Sequence, residues 1–228
     1  MKRESACTTE ESLKTVEAPE VKHAVARSLA YSVFARLFAY PDGEQHDAIS
    51  SGSLARELRK ALLELDPAVE EEADWQALRD VGDEDDLAVE FTRLFDVGAG
   101  APPCPLNGGL YIGNRMKTME EALRFYNFFG LTLSEAPREL PDHLTTQLEF
   151  LHFLAFRGAE ALDAGTDPGP WQRAERDFVA RHPGRWVPEL QKRLEKEEPM
   201  PFFRELVARL AAFLGAEASQ LGQVAAEA

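Results

Sequence analysis

Cysteine is scarce in this 228-residue chain: Cys7 and Cys104 stand far apart, with no second ligand at metal-binding spacing. That excludes a disulfide framework and points to a reducing compartment. Basic residues are also short, 25 Lys and Arg against 40 Asp and Glu, for a net charge of −15. A nucleic-acid-binding protein needs a basic footprint, so that class is excluded, and docking on anionic lipid is disfavoured. No run approaches ~18 uninterrupted apolar residues, so no membrane-spanning helix is expected. The N-terminal residues Met1 to Glu10 lack the apolar stretch of a secretory signal, which predicts a cytoplasmic protein. Strand signals are nearly missing, with no alternating Val/Ile/Thr run and no hairpin dipeptide between such runs. The chain contains no His-Glu-x-x-His, Gly-x-Ser-x-Gly, Cys-x-x-Cys or phosphate-binding loop, and Gly98-Ala-Gly100 follows a helix rather than a strand.

What the chain does have is helical periodicity. Val25, Leu29, Val33, Leu37 and Phe38 recur at steps of three and four until Pro41-Asp42-Gly43 stops them. A second helix is expected over 53–65 and another over 87–95. Thr118-Met-Glu-Glu121 reads as a capping box before an aromatic-rich helix that stops at Gly130. The most apolar helix starts after Leu140-Pro-Asp-His143. Leu144, Leu148, Leu151, Ala155, Ala159 and Leu162 form one stripe on it, and Phe150, Phe153 and Leu154 a second, which marks it as central. Helices over 171–181, 186–197 and 201–214 complete the set. The fold class is all-α: one helical-bundle domain over 21–216, between loose tails at 1–20 and 217–228.

Three features invite a functional reading. Residues 64–90 carry twelve acidic side chains against Arg79 alone, a net −11, which is either a solvated face or an attractor for a basic peptide. Asp96 to Gly113 form a Pro/Gly-rich loop longer than the ~12–15 residues usual inside a domain. Asp142 and His143 fall at the mouth of the central helix, where Asp is an ordinary N-cap. Glu149 and His152 have the Glu-x-x-His spacing of di-iron bundles, but such a site needs two copies and further Glu, and only one copy exists. A helical carboxylate–histidine metal-dependent oxidase is therefore the enzyme alternative to a binding protein.

Four blocks in order resemble the TorD/DmsD/NarJ-type redox-enzyme maturation chaperones: Tyr31 to Pro41, Glu90 to Phe95 with the Pro102–Tyr111 loop, Arg124 to Leu131, and Glu139 to Leu144 running into Gln147 to Leu151. Phe178 to Trp186 and Pro201 to Arg204 add a weaker tail. The Phe-Tyr-x-Phe-Phe-Gly-Leu form and the long loop look most like the branch serving type II dimethyl-sulfoxide-reductase-like enzymes. The loop departs from the polar Pro-Tyr-Glu-Ser run common in that family.

The resemblance implies a TorD-like helical chaperone, cytoplasmic, with no catalytic residue, cofactor or metal. Its partners would be an apo molybdoenzyme catalytic subunit and its twin-arginine leader, held until the cofactor is inserted. It implies no nucleic acid, no stable membrane association, and a monomer or weak dimer. Guanine-nucleotide binding has been suggested in the family, but the chain offers no phosphate loop. The client-contact residues so implied are Pro141, Asp142, His143, Tyr31, Phe95, Tyr111, Tyr126 and Glu149.

Overall fold

Among the described helices, three begin at a side-chain cap and others at a first-turn proline. The computed structural model describes residues 18–96, 101–132 and 140–224, the last five by backbone alone. Asp42, Asp83 and Asn114 each accept a backbone N–H three residues on, at 3.0, 2.9 and 3.1 Å, and start α2 (Gly43–Ser50), α5 (Glu84–Phe95) and α7 (Arg115–Phe128). Proline sits in the first turn of α1 (Pro19–Leu37), α9 (Gly169–Arg181) and α10 (Pro183–Leu194), where its missing N–H costs nothing. The remaining helices are α3 (Ser53–Leu65), the single turns α4 (Val69–Glu72) and α6 (Gly109–Ile112), α8 (Leu144–Asp163) and α11 (Pro201–Val224). Gly130, at φ 71°, ends α7: the Leu131 N–H returns to the Tyr126 carbonyl at 2.9 Å.

The architecture is an all-α bundle around one antipodal pair in sequence. α1 and α8 make the most extensive helix contact, α3 flanks α1, and α9 packs on α8. α10 and α11 close the other side, each against α9. α8 is buried as its two stripes require: Leu144, Leu148, Leu151, Leu154, Ala155 and Ala159 have essentially no exposed surface, and Phe150 little. Each such Leu contributes roughly 1.5–3 kcal/mol by leaving water. Aromatic rings fill the gap between α7, α8 and α9. Phe178 lies 4.7 Å from Phe150, 5.2 Å from Phe125 and 4.4 Å from the His182 ring.

Several elements differ from expectation, among them the helix expected over 186–197, which starts at Pro183. α7 starts a turn before Thr118, because Asn114 offers a better cap; the Thr118 hydroxyl bonds back to the Asn114 carbonyl at 2.9 Å. The long loop contains the turn α6 and one isolated antiparallel bridge, Asn107 to His143. α11 runs on to Val224, through Glu217, which is buried against α1 and α9.

The ring cluster predicts a cavity penalty. Phe178→Ala should lower unfolding free energy by about 3–5 kcal/mol, measured by urea denaturation with an unchanged m-value.

Candidate functional site

The Pro141-Asp142-His143 tripeptide sits where the loop, α7, α8 and α10 converge. Asp142 has no exposed surface. Its carboxylate turns away from the helix it precedes: Oδ2 accepts the Gly109 N–H at 2.9 Å, and Oδ1 accepts from the Asn107 side-chain amide at 3.2 Å. Its carbonyl accepts the Gly108 N–H at 2.9 Å, and the Leu144 N–H reaches the Leu106 carbonyl at 2.8 Å. The residue at the N-cap position is His143, without a side-chain cap, so the expected Asp142 cap is replaced by a clasp on the loop.

Each neighbour reinforces that clasp. The Tyr126 hydroxyl donates to the Pro141 carbonyl at 2.8 Å. Burial pushes the Tyr126 pKa far up, with Asp142 and Glu149 adding to it, so the hydroxyl keeps its proton. The Gln147 amide donates to the Asp142 carbonyl at 3.4 Å and accepts the Trp186 indole N–H at 3.1 Å. Trp186 stacks on Tyr111 with centroids 5.1 Å apart, and the Arg193 guanidinium lies over the Tyr111 ring at 4.2 Å. The Gly108-Gly109 pair is required by close approach. A Cβ on Gly108 would lie 2.6 Å from Trp186 Nε1, and one on Gly109 would lie 2.8 Å from the Arg115 Cα.

The expected contact residues divide sharply. Pro141, Asp142, His143, Tyr126 and Tyr111 come together at this end of the bundle. Of these, His143 and Tyr111 are half-buried, and His143 Nδ1 lies 2.7 Å from the Thr145 hydroxyl. Glu149 is exposed further along α8. Leu110 and Leu140, both partly exposed, flank the same end. Pro141, Asp142 and Tyr126 are buried and face protein neighbours rather than solvent. Tyr31 and Phe95 lie elsewhere: Tyr31 packs on Phe213 at 5.0 Å, and Phe95 on Phe203 at 5.2 Å. Gln147, Asn107 and Trp186 are not singled out as site residues by the sequence, and Gly108-Gly109 read there only as breakers of regular structure, whereas the structure needs them for close approach. His152 Nδ1 turns to the Ser28 hydroxyl and carbonyl on α1, at 2.8 and 3.0 Å, while Glu149 faces solvent. Among the described residues no group of three or more His, Cys, Asp or Glu is placed to hold a metal ion. Burial and Glu197 push the Cys104 thiol up to about 11, the wrong direction for a nucleophile.

The acidic stretch 64–90 lies across the end of α3, α4 and the start of α5, with nearly all its carboxylates exposed. Part of it is structural. Asp66, Asp74 and Asp83 accept backbone N–H bonds at turn and helix starts, and Glu90 pairs with Arg93 at 2.7 Å. Glu70 and Glu72 pair with Arg59 and Arg209, and the others are exposed.

Two expectations follow. Asp142→Ala strands buried donors on Asn107 and Gly109 and should cost about 2–4 kcal/mol of stability, since each unsatisfied buried group costs ~1–3 kcal/mol; thermal melting reads it. His182 is fully buried, and burial lowers its pKa to about 4. The folded protein thus binds that proton less readily than the unfolded chain. The stability from the neutral ring is present above ~6.5 and is lost as pH falls toward 4, at no more than ~1.4 kcal/mol per unit. His182→Phe should flatten that slope in pH-resolved denaturation.

The comparisons agree with the resemblance. The family profile described as "Nitrate reductase delta subunit" matches residues 51–192. The selenate reductase assembly chaperone protein of Thauera selenatis is 34% identical over 206 residues, covering 87% of this chain and 95% of that protein. The chlorate reductase assembly chaperone protein of Ideonella dechloratans is 34% identical over 175 residues, covering 76% of this chain and 79% of its own length. The perchlorate reductase assembly chaperone protein of Dechloromonas aromatica (strain RCB) is 31% identical over 206 residues, covering 88% of this chain and 92% of that protein.

Proposed function

The chain belongs to the nitrate reductase delta subunit family of NarJ/TorD-type proteins, and from that premise we propose that it is a system-specific assembly chaperone. It binds the apo catalytic subunit of a molybdenum-containing dehydrogenase or reductase of the type II dimethyl-sulfoxide-reductase class. It holds that subunit for cofactor insertion, in the cytoplasm, without chemistry of its own. The observation that carries this reading is similarity across nearly the whole length of proteins named for reductase assembly.

The site adds a physical reason for where the client docks. His143 and Glu149 supply the accessible polar groups, with Leu110 and Leu140 as apolar contacts beside the half-buried Tyr111 ring. Pro141, Asp142 and Tyr126 hold that surface in place from beneath, while Tyr31 and Phe95 act further off by fixing α1 and α5. A twin-arginine leader, basic and then apolar, suits an acidic protein with such an end.

Co-expression of the tagged chain with a selenate- or chlorate-reductase-type catalytic subunit tests the reading. The apo subunit should co-purify and the cofactor-loaded subunit should not. Equal recovery of both, or of neither, would overturn it. His143→Ala should weaken capture about tenfold while leaving the melting temperature within a few degrees. If the acidic stretch steers the client, affinity should also fall as salt shortens the Debye length from ~30 Å at 0.01 M to ~3 Å at 1 M. Titration at both extremes measures it.

A further inference from the structure

The first turn of α7 is uncovered. A helix of a globular protein lays one stripe on the core and turns the other to water. Here Arg115, Met116 and Lys117 are exposed one after another, and the first buried side chain is Thr118. Three consecutive residues sweep ~200° around a helix axis, more than an ordinary solvent stripe needs. Met116 has 65% of its surface exposed, and Leu110 on the adjoining α6 has 45%. The two stand at one corner, because α6 abuts that turn: a Cβ on Gly109 would lie 2.8 Å from the Arg115 Cα. We propose that this corner docks an acidic, apolar segment of the client subunit. Its apolar side chains cover Leu110 and Met116, and its carboxylates meet Arg115 and Lys117. The proposal rests on the client reading and adds the chemistry of the part that docks here.

The charge of the corner is opposite to that of the molecule. From 97 to 119 the chain has no Asp or Glu, although 40 of its 228 residues are acidic. Among the described residues neither Arg115 nor Lys117 has a carboxylate partner, whereas the acids of the next turn are engaged. Glu120 faces Arg124 at 3.9 Å, and Glu121 faces Arg181 at 3.2 Å. Asp142, beneath Gly109, is occupied by the Gly109 N–H and the Asn107 amide. The 14-residue helix α7 also turns its positive end to this corner. Exposed ion pairs contribute little affinity, so covering the apolar side chains supplies the attraction and charge selects the partner. Methionine suits that task, since its unbranched side chain adapts to the surface laid on it.

Size and sign exclude other occupants. A basic leader meets like charge here. A nucleic acid or an anionic membrane extends far beyond the corner and meets the rest of a chain of net charge −15. A second copy brings the same −15 with it. A single acidic segment touches the corner alone.

Titration of the full chain, labelled with 13C-methyl methionine, tests the assignment with three designed amphipathic helical peptides of equal length. One has a Leu face flanked by Glu, one replaces each Glu by Lys, and one replaces each Leu by Ser. The Glu–Leu peptide should bind saturably and move the Met116 methyl resonance, leaving that of Met200, which is tied to Glu90 on α5, in place. The other two peptides should bind at least about tenfold more weakly. Arg115→Glu with Lys117→Glu should weaken the Glu–Leu peptide about tenfold or more and tighten the Lys–Leu peptide. The melting temperature should not fall, because acidic residues suit a helix start. Met116→Ser should weaken the Glu–Leu peptide as well. In the co-expression capture, the charge-reversed protein should recover about tenfold less apo subunit. Undiminished capture by that variant overturns docking at this corner and leaves the chaperone reading standing. Failure of the wild-type protein to capture the subunit overturns the chaperone reading, and the client as occupant with it. A stationary Met116 resonance, equal binding of the Lys–Leu peptide, or equal binding of phosphatidylglycerol vesicles also overturns the proposal. Self-association abolished by the charge reversal would instead assign the corner to a second copy.

Discussion

The buried carboxylate of Asp142 is the interaction on which this end of the molecule depends. A loop dominated by proline and glycine has little means of ordering itself, since it forms no regular ladder and carries few large side chains. Here it is ordered from outside. Asp142 takes the Gly109 N–H and the Asn107 amide, and its backbone carbonyl takes Gly108. The same residue is fixed in turn by Gln147 and, through it, by Trp186. Charge-assisted bonds to a fully desolvated carboxylate are roughly twice as strong as neutral ones, so one side chain can hold several segments. The half-exposed groups beside it, His143 and Tyr111, inherit their positions from that clasp.

Two buried carboxylate arrangements in the same protein show how partnership decides the outcome. Asp142 is met by backbone and amide donors that fit both oxygens. Glu175 and Glu217 share the Arg27 guanidinium at longer range, and burial raises both carboxyl pKa values. The first arrangement fixes structure. The second favours a protonated carboxyl over two full charges on one guanidinium.

Much of this was legible in the sequence. The stripes on α8, the stop at Gly130 and the near absence of strand signal gave an all-helical bundle, because burial and periodicity are properties of single segments. The site was legible only in part. Pro141-Asp142-His143 stood out by its position before an apolar helix, but spacing reports a neighbour along the chain, not one across space. It could not say that Asp142 would turn to Gly109 rather than to its own helix, nor that Trp186 would lie on Gly108. The Arg27 cluster draws on α1, α9 and α11, and nothing local marks a buried Glu in an otherwise exposed-looking helix end. The acidic stretch read as uniform, yet several of its members are ordinary caps.

The pairing of α1 with α8 has a consequence for synthesis on the ribosome. Ser28 and His152, which join the two helices, are separated by 124 positions. At ~5–20 residues per second, α1 waits on the order of 6–25 s for the helix that covers it. Through that interval Val33, Phe34 and Leu37, all destined for the interior, are without the helix that makes the most extensive contact with α1. The nascent chain of a protein that guards another's unfinished state thus passes through an unfinished state of its own.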